Sequence, residues 1–199
     1  MRQTLVALLV VFFIVCGTGV QIGLAEEPEE DGCVVTDGHE FLTDAVLDWS
    51  EHSSVVSRLP KADILTLVFM ESTGNSNARR PGSRFYGLLQ ISDEYMQDAL
   101  EHADQNIRPA STLMGNGRHS FQIFQWYMER YSHLHNWRPE YVAMVHKAGP
   151  TGFSHILNKA RQEDLTFEEA VCAGQTPRAC AYYKRFHEVR VVYRSCFRS

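Results

Sequence analysis

One mostly α-helical domain is what this sequence predicts, and three observations carry the prediction. Apolar residues recur at helical spacing in segment after segment. Helix-start residues such as Ser92, Pro139 and Thr166 stand ahead of those segments, and no alternating run of strand length competes with them. At 199 residues the chain suits one domain with a real core. A composition of 44% hydrophobic and 22% charged residues excludes both a disordered chain and a multi-span membrane protein.

Residues 1–25 differ in kind from the rest. A single arginine in MRQ is followed by the apolar run TLVALLVVFFIV, and Gly23 and Ala25 precede an acidic stretch, which is the order of a secretory signal peptide cleaved before Glu26. The competing reading is an uncleaved anchor, since Thr4 to Ala25 approaches the ~20 apolar residues a bilayer requires. Contact with a membrane is expected only in that case. An acidic, Pro-containing lead-in covers residues 26–38, and the folded domain covers 39–199. The expected location is outside the cytoplasm, periplasmic or secreted.

The elements follow in order. Phe41, Leu42, Ala45, Val46 and Trp49 mark a first helix. Pro60 suits a first helical position, and ADILTLVFMES then runs as a largely buried helix. A small β-hairpin or irregular region is expected within Asn75 to Leu88. Ser92 caps a helix whose acids lie in its first turn. A longer helix covers about His119 to Tyr131. Pro139 opens another through PEYVAMVHK, closed by Gly149. Thr166 and Glu169 form a capping box ahead of a helix leading to Cys172, and a last helix runs from about Ala179 to Arg194.

Removal of the first 25 residues leaves Cys33, Cys172, Cys180 and Cys196, an even number in a chain expected to be exported. Two disulfides are the default, with three connectivities. The preferred pairing joins Cys172 to Cys180 across a short loop and Cys33 to Cys196 across the ends. Cysteine pairs with C-x-x-C spacing and an HExxH motif are both lacking, so no metal and no cofactor are expected. His133 and His135 are read as surface or core residues. The formal net charge of −5 argues against nucleic acid as a partner. Residues 26–51 are strongly acidic and residues 178–199 basic, and the two tracts are expected to pair.

Glu71 ends the apolar run, and no further acid follows until Asp93. A carboxyl at the edge of an apolar core loses solvation of its charged form, and the negative pole of a helix C-terminus acts in the same direction. Held neutral, such a group is a general acid. The alternative is a solvated helix-end Glu.

Glu71-Ser72, then Asn75 and Ala78, then Gly87-Leu88-Leu89-Gln90-Ile91 resemble the E-S…N-x-x-A…G-L-x-Q-I signature of the soluble-lytic-transglycosylase domain, a branch of the lysozyme-like superfamily. Ala148-Gly149-Pro150 is similar to the end of the family's second signature, A-x-Y-N-A-G-P. The resemblance spans roughly residues 60 to 160. It implies a single lysozyme-like domain whose cleft binds peptidoglycan glycan strands, with Glu71 as the catalytic acid. The reaction implied is cleavage of the MurNAc–GlcNAc β-1,4 bond with formation of 1,6-anhydroMurNAc. Cell-wall or secretion-apparatus proteins are the implied protein partners.

Two departures bear on the site. The interval from Glu71 to Gly87 is about one residue longer than the usual family spacing, and the family's Tyr-Asn pair is replaced by His146-Lys147. His146 is the candidate to support Glu71 in place of the tyrosine. Lys147 is expected to point toward the glycan or its carboxylated peptide. Ser72 is expected to bond Glu71 or a substrate N-acetyl group, Gln90 to act as a cleft-wall donor, and Tyr86 or Phe85 to offer a sugar-stacking face. A lysozyme-like hydrolase and a glycan-binding or assembly protein of the same fold stand as alternatives.

Overall fold

The computed structural model describes residues 43–79, 81–174 and 176–196, all belonging to one compact unit. The expected signal segment, the acidic lead-in and the Cys33–Cys196 pairing lie outside the described residues. Among the described residues the chain is mostly helical: α1 (Thr43–Glu51), α2 (Lys61–Ser72), α3 (Asp93–His102), α4 (Gly117–Arg130), α5 (Ser132–His135), α6 (Pro139–Gln162), α7 (Phe167–Gly174) and α8 (Pro177–Cys196). No helix among them is long and apolar enough to cross a membrane.

The central helix is α2. Every residue from Ala62 to Val68 is buried, so the helix has no solvent face and must be covered all round. Its main cover is α8, with α1 on another side. The two polar residues in that run are both satisfied. Thr66 Oγ1 donates to the Ala62 carbonyl at 2.7 Å. Asp63, fully buried, is bonded by Arg190 of α8 and lies 3.5 Å from Arg194. Arg190 also reaches Glu140 of α6 at 3.7 Å. Arg190 and Arg194 of the C-terminal tract thus find partners in the core helices, while most of the N-terminal acids expected to pair with that tract lie outside the described residues.

Local signals set most helix starts. Ser92 Oγ accepts from the Tyr95 amide at the head of α3, and Asn116 accepts from His119 at the head of α4. At α7 the capping box is closed in both directions: Thr166 N donates to Glu169 at 2.8 Å and Glu169 N to Thr166 Oγ1 at 3.3 Å. Pro60 is the residue before α2 rather than its first, with an extended ψ of 144°. The helix opened by Pro139 breaks at Gly149, whose φ of 71° and ψ of 169° are not helical, and it resumes from Pro150 to Gln162. That resumed half escaped the periodicity reading. His135, buried, accepts from the Trp137 amide at 2.9 Å and bonds the Met128 carbonyl at 3.0 Å, a core histidine as expected.

Two constraints, one covalent and one steric, fix how helices meet. A disulfide links Cys172 of α7 to Cys180 of α8, with Cα atoms 4.6 Å apart, as the cysteine spacing predicts. Trp49 of α1 lies flat over Gly117, where a Cβ would stand 2.1 Å from its Cε3 atom. Only glycine permits that approach.

Between α2 and α3 the chain takes the irregular alternative rather than a hairpin, with one antiparallel bridge from Tyr86 to Ile91. Hydrogen bonds between the motif residues hold it. The Ala78 carbonyl accepts from Gly87 N at 3.0 Å and from Gln90 Nε2 at 3.0 Å, and the Asn75 side chain accepts from Asn77 N at 2.8 Å. Leu88, Leu89 and Ile91 are buried and anchor the loop to the core.

Candidate active site

Thr73 stops α2 in the left-handed conformation, its amide bonding back to the Phe69 carbonyl. Glu71 therefore lies in the last turn of the central helix. Its side chain is 8% exposed, and Oε1 has no hydrogen-bond partner among the described residues. Buried polar atoms rarely stay unpaired without a functional cause.

Glu71 opens into a cavity of about 780 Å³ lined also by Phe85, Gln90, His146, Lys147 and Tyr182, with Arg178 and Arg185 of α8. Glu71 is the one carboxylate among the described lining residues. A second compartment of about 290 Å³ shares Phe85, Gln90, His146 and Lys147 with the first and continues past Tyr95, Glu94 and Asp98. Two adjoining compartments with a common wall make a cleft rather than a single pit.

His146 stands beside the acid, its Nε2 4.0 Å from Glu71 Oε1 and its side chain 4% exposed. That nitrogen bonds the Leu89 carbonyl at 3.0 Å, while Nδ1 lies 3.3 Å from the Tyr95 hydroxyl. A carbonyl only accepts, so Nε2 carries the proton and Nδ1 accepts from Tyr95. His146 thus ties α6 to the loop carrying Leu89, and it neighbours Glu71 without bonding it. Burial chiefly lowers His146 below its usual 6.5, with Lys147 acting the same way and the Glu71 charge and Leu89 carbonyl opposing.

A neutral His146 places no positive charge beside Glu71, whereas an imidazolium would. Any activity that depends on a neutral His146 is expected to persist as pH falls through 6.5 and to decline only below it. His146→Tyr should move or remove that acid limb. Identical pH–rate profiles in the wild type, His146→Tyr and His146→Ala would separate His146 from the acid. The linkage has the same sign for stability: the contribution of neutral His146 is present above 6.5 and is lost as pH falls through its lowered folded value.

Tyr182, which the sequence reading missed, covers the other side of the acid. Its buried hydroxyl is pushed far above the usual tyrosine range, first by burial and then by the Glu71 carboxylate beside it. Neither Tyr182 Oη nor Glu71 Oε1 closes a well-formed hydrogen bond. The Tyr182 hydroxyl is close enough to act on the Glu71 carboxyl, although the contact falls short of hydrogen-bond geometry.

The remaining candidates divide. Lys147 lines both compartments, with Nζ 4.7 Å above the Tyr182 ring. Gln90 lines both too, but its amide NH₂ is committed to the Ala78 and Gly87 carbonyls. Two carbonyl partners fix the orientation of that amide, so Gln90 presents its oxygen to the cleft as an acceptor, not the donor expected. Ser72 Oγ donates instead to the Val68 carbonyl at 3.3 Å, one turn back along α2, and does not line the cavity. Tyr86 packs against the core under Arg79, and Phe85, half exposed, takes the place at the cleft wall.

The carboxylates of the second compartment are both engaged. Asp98 accepts from Tyr131 and lies 3.3 Å from Arg130. Glu94 is exposed at the head of α3, where its own backbone amide and the Ser92 hydroxyl hold it below the usual carboxylate range.

Fold and site together define a mostly helical protein with a buried carboxyl at the end of its central helix, open to a cation-rich cleft. Comparison with family models, curated proteins and solved structures gives no match.

Proposed function

We propose that this chain is a glycan-cleaving enzyme, and specifically a peptidoglycan lytic transglycosylase that works with Glu71 alone as acid and base. The observation that carries the reading is the one-carboxylate cavity: a buried acid with an unpaired oxygen, and no second carboxylate among the described residues that line that compartment. Glycoside hydrolysis ordinarily needs two carboxylates, one as acid and one as nucleophile or water-activating base. A transglycosylase needs one, because the sugar supplies its own nucleophile.

In this scheme Glu71 donates its proton to the glycosidic oxygen as the C1–O bond breaks. The resulting carboxylate takes the proton of the muramic acid C6 hydroxyl, whose oxygen closes on C1. The acid is thereby regenerated and no water is consumed. His146 stays neutral, and Tyr182 offers a hydroxyl that donates to the Glu71 carboxylate when it forms. The motif resemblance supports this chemistry independently of the cavity.

Glu94 and Asp98 in the adjoining compartment favour a second reading, a hydrolase that activates water there. Product mass decides between the two. Digestion of purified sacculi is expected to release anhydro-ended muropeptides, one water lighter than hydrolysed ones. Reducing-end products alone would select hydrolysis, and absence of any released fragment would remove the catalytic reading.

A further inference from the structure

We propose that the Glu71 cavity selects glycan bearing free carboxylates, and that Lys147, Arg178 and Arg185 form the site that binds them. The inference rests on the glycan reading above and deepens it, naming the side chains that would tell a carboxylate-bearing strand from an uncharged sugar chain.

Charge balance is the first support. Three cations and one acid line the cavity among the described residues, although the chain as a whole is net negative. A cleft lined mainly by one sign of charge concentrates ligands of the other.

Next comes the lack of internal partners. Among the described residues neither Lys147 nor Arg178 has an ion-pair carboxylate, whereas Arg190 and Arg194 of the same helix share Asp63. Arg185 is paired with Glu188 at 3.2 Å, but both side chains are more than half exposed, and such surface pairs exchange readily with a ligand.

Arg178 also breaks a local rule. It lies in the first turn of α8, a turn with no acidic residue, where the positive pole of the helix disfavours a cation. Thr176 caps that end, its hydroxyl accepting from the Ala179 amide at 3.4 Å, but among the described residues no carboxylate meets the guanidinium. A bound carboxylate supplies the partner that the guanidinium lacks. The Cys172–Cys180 bridge joins the first turn of α8 to α7, so the backbone that carries Arg178 beside the cavity is constrained. A guanidinium matches the planar fork of a carboxylate.

The test uses the Glu71→Gln protein, which is expected to bind glycan without cleaving it. Calorimetric titration would compare a GlcNAc–MurNAc–peptide carrying free carboxylates with the same molecule after amidation. The free-acid form is expected to bind about tenfold more tightly at low salt, an advantage that shrinks as salt is added. Adding Lys147→Met and Arg178→Gln should abolish the advantage while leaving the affinity for the amidated form within about twofold. Equal binding of the two forms, survival of the advantage in the charge-removed variant, or no binding of either form would overturn the proposal. Wild-type cleavage of sacculi is scored alongside. Absence of cleavage with the carboxylate preference intact would remove the catalytic reading and leave this site standing, whereas cleavage without the preference removes this site alone.

Discussion

Glu71→Gln is expected to lower release of soluble fragments from sacculi by about 100- to 10,000-fold, the usual contribution of a positioned acid–base group. Gln keeps the shape of Glu but can neither give up a proton to the glycosidic oxygen nor recover one from the attacking hydroxyl. The fold has little to lose, because Glu71 Oε1 makes no hydrogen bond and its side chain is almost wholly enclosed. Gln matches Glu in volume, so thermal stability should stay level. Loss of activity with stability retained is the signature of a residue kept for chemistry at the expense of the fold. A variant that keeps more than a tenth of the wild-type rate would take Glu71 out of the catalytic role.

Asp63→Ala is expected to do the reverse, damaging the fold at a distance from the chemistry. Asp63 has no exposure to solvent and holds Arg190, itself nearly buried, while Arg194 approaches from the helix end. Removing one partner of a buried pair leaves the other charge desolvated without compensation, which costs about 3–5 kcal/mol. For a domain of this size that is a fall in Tm of roughly 10 °C. The Lys61–Glu51 pair, 3.9 Å apart and about half exposed at each end, supplies the control, and its loss should be barely measurable. A change at Asp63 no larger than this control would mean that the α2–α8 contact rests on apolar packing alone.

Local signals account for what the sequence made legible. The capping box at Thr166, the Ser92 cap and the Cys172–Cys180 bridge each join residues close in the chain, and all three are present. The buried run from Ala62 to Val68 was readable because a helix apolar on every side can only be central. Glu71 was readable because it ends that run. What escaped notice depends on which faces meet. Tyr182, Arg178 and Arg185 reach the cavity only because α8 packs along α2, and spacing within α8 does not state which side is turned inward. The exchange of Tyr86 for Phe85 at the cleft wall has a similar cause. A single bridge at Tyr86 turns its neighbour outward, and an irregular loop carries no period from which to read that. The resumption of α6 after Gly149 was hidden because glycine followed by proline reads as a stop, whereas proline is well placed to begin the second half.

Gly117 and Trp49 illustrate a different kind of dependence, one that acts across generations of the sequence. No side chain larger than hydrogen fits at 117 while the indole covers it, so every single substitution there meets the ring. Nor can the indole shrink without opening a hole over the start of α4. Each residue is thus closed to change until the other has changed, and drift must pass through a less stable intermediate or carry both at once. The two positions, far apart in the chain, form one heritable unit, and in diverging descendants of this protein they should be retained together or replaced together.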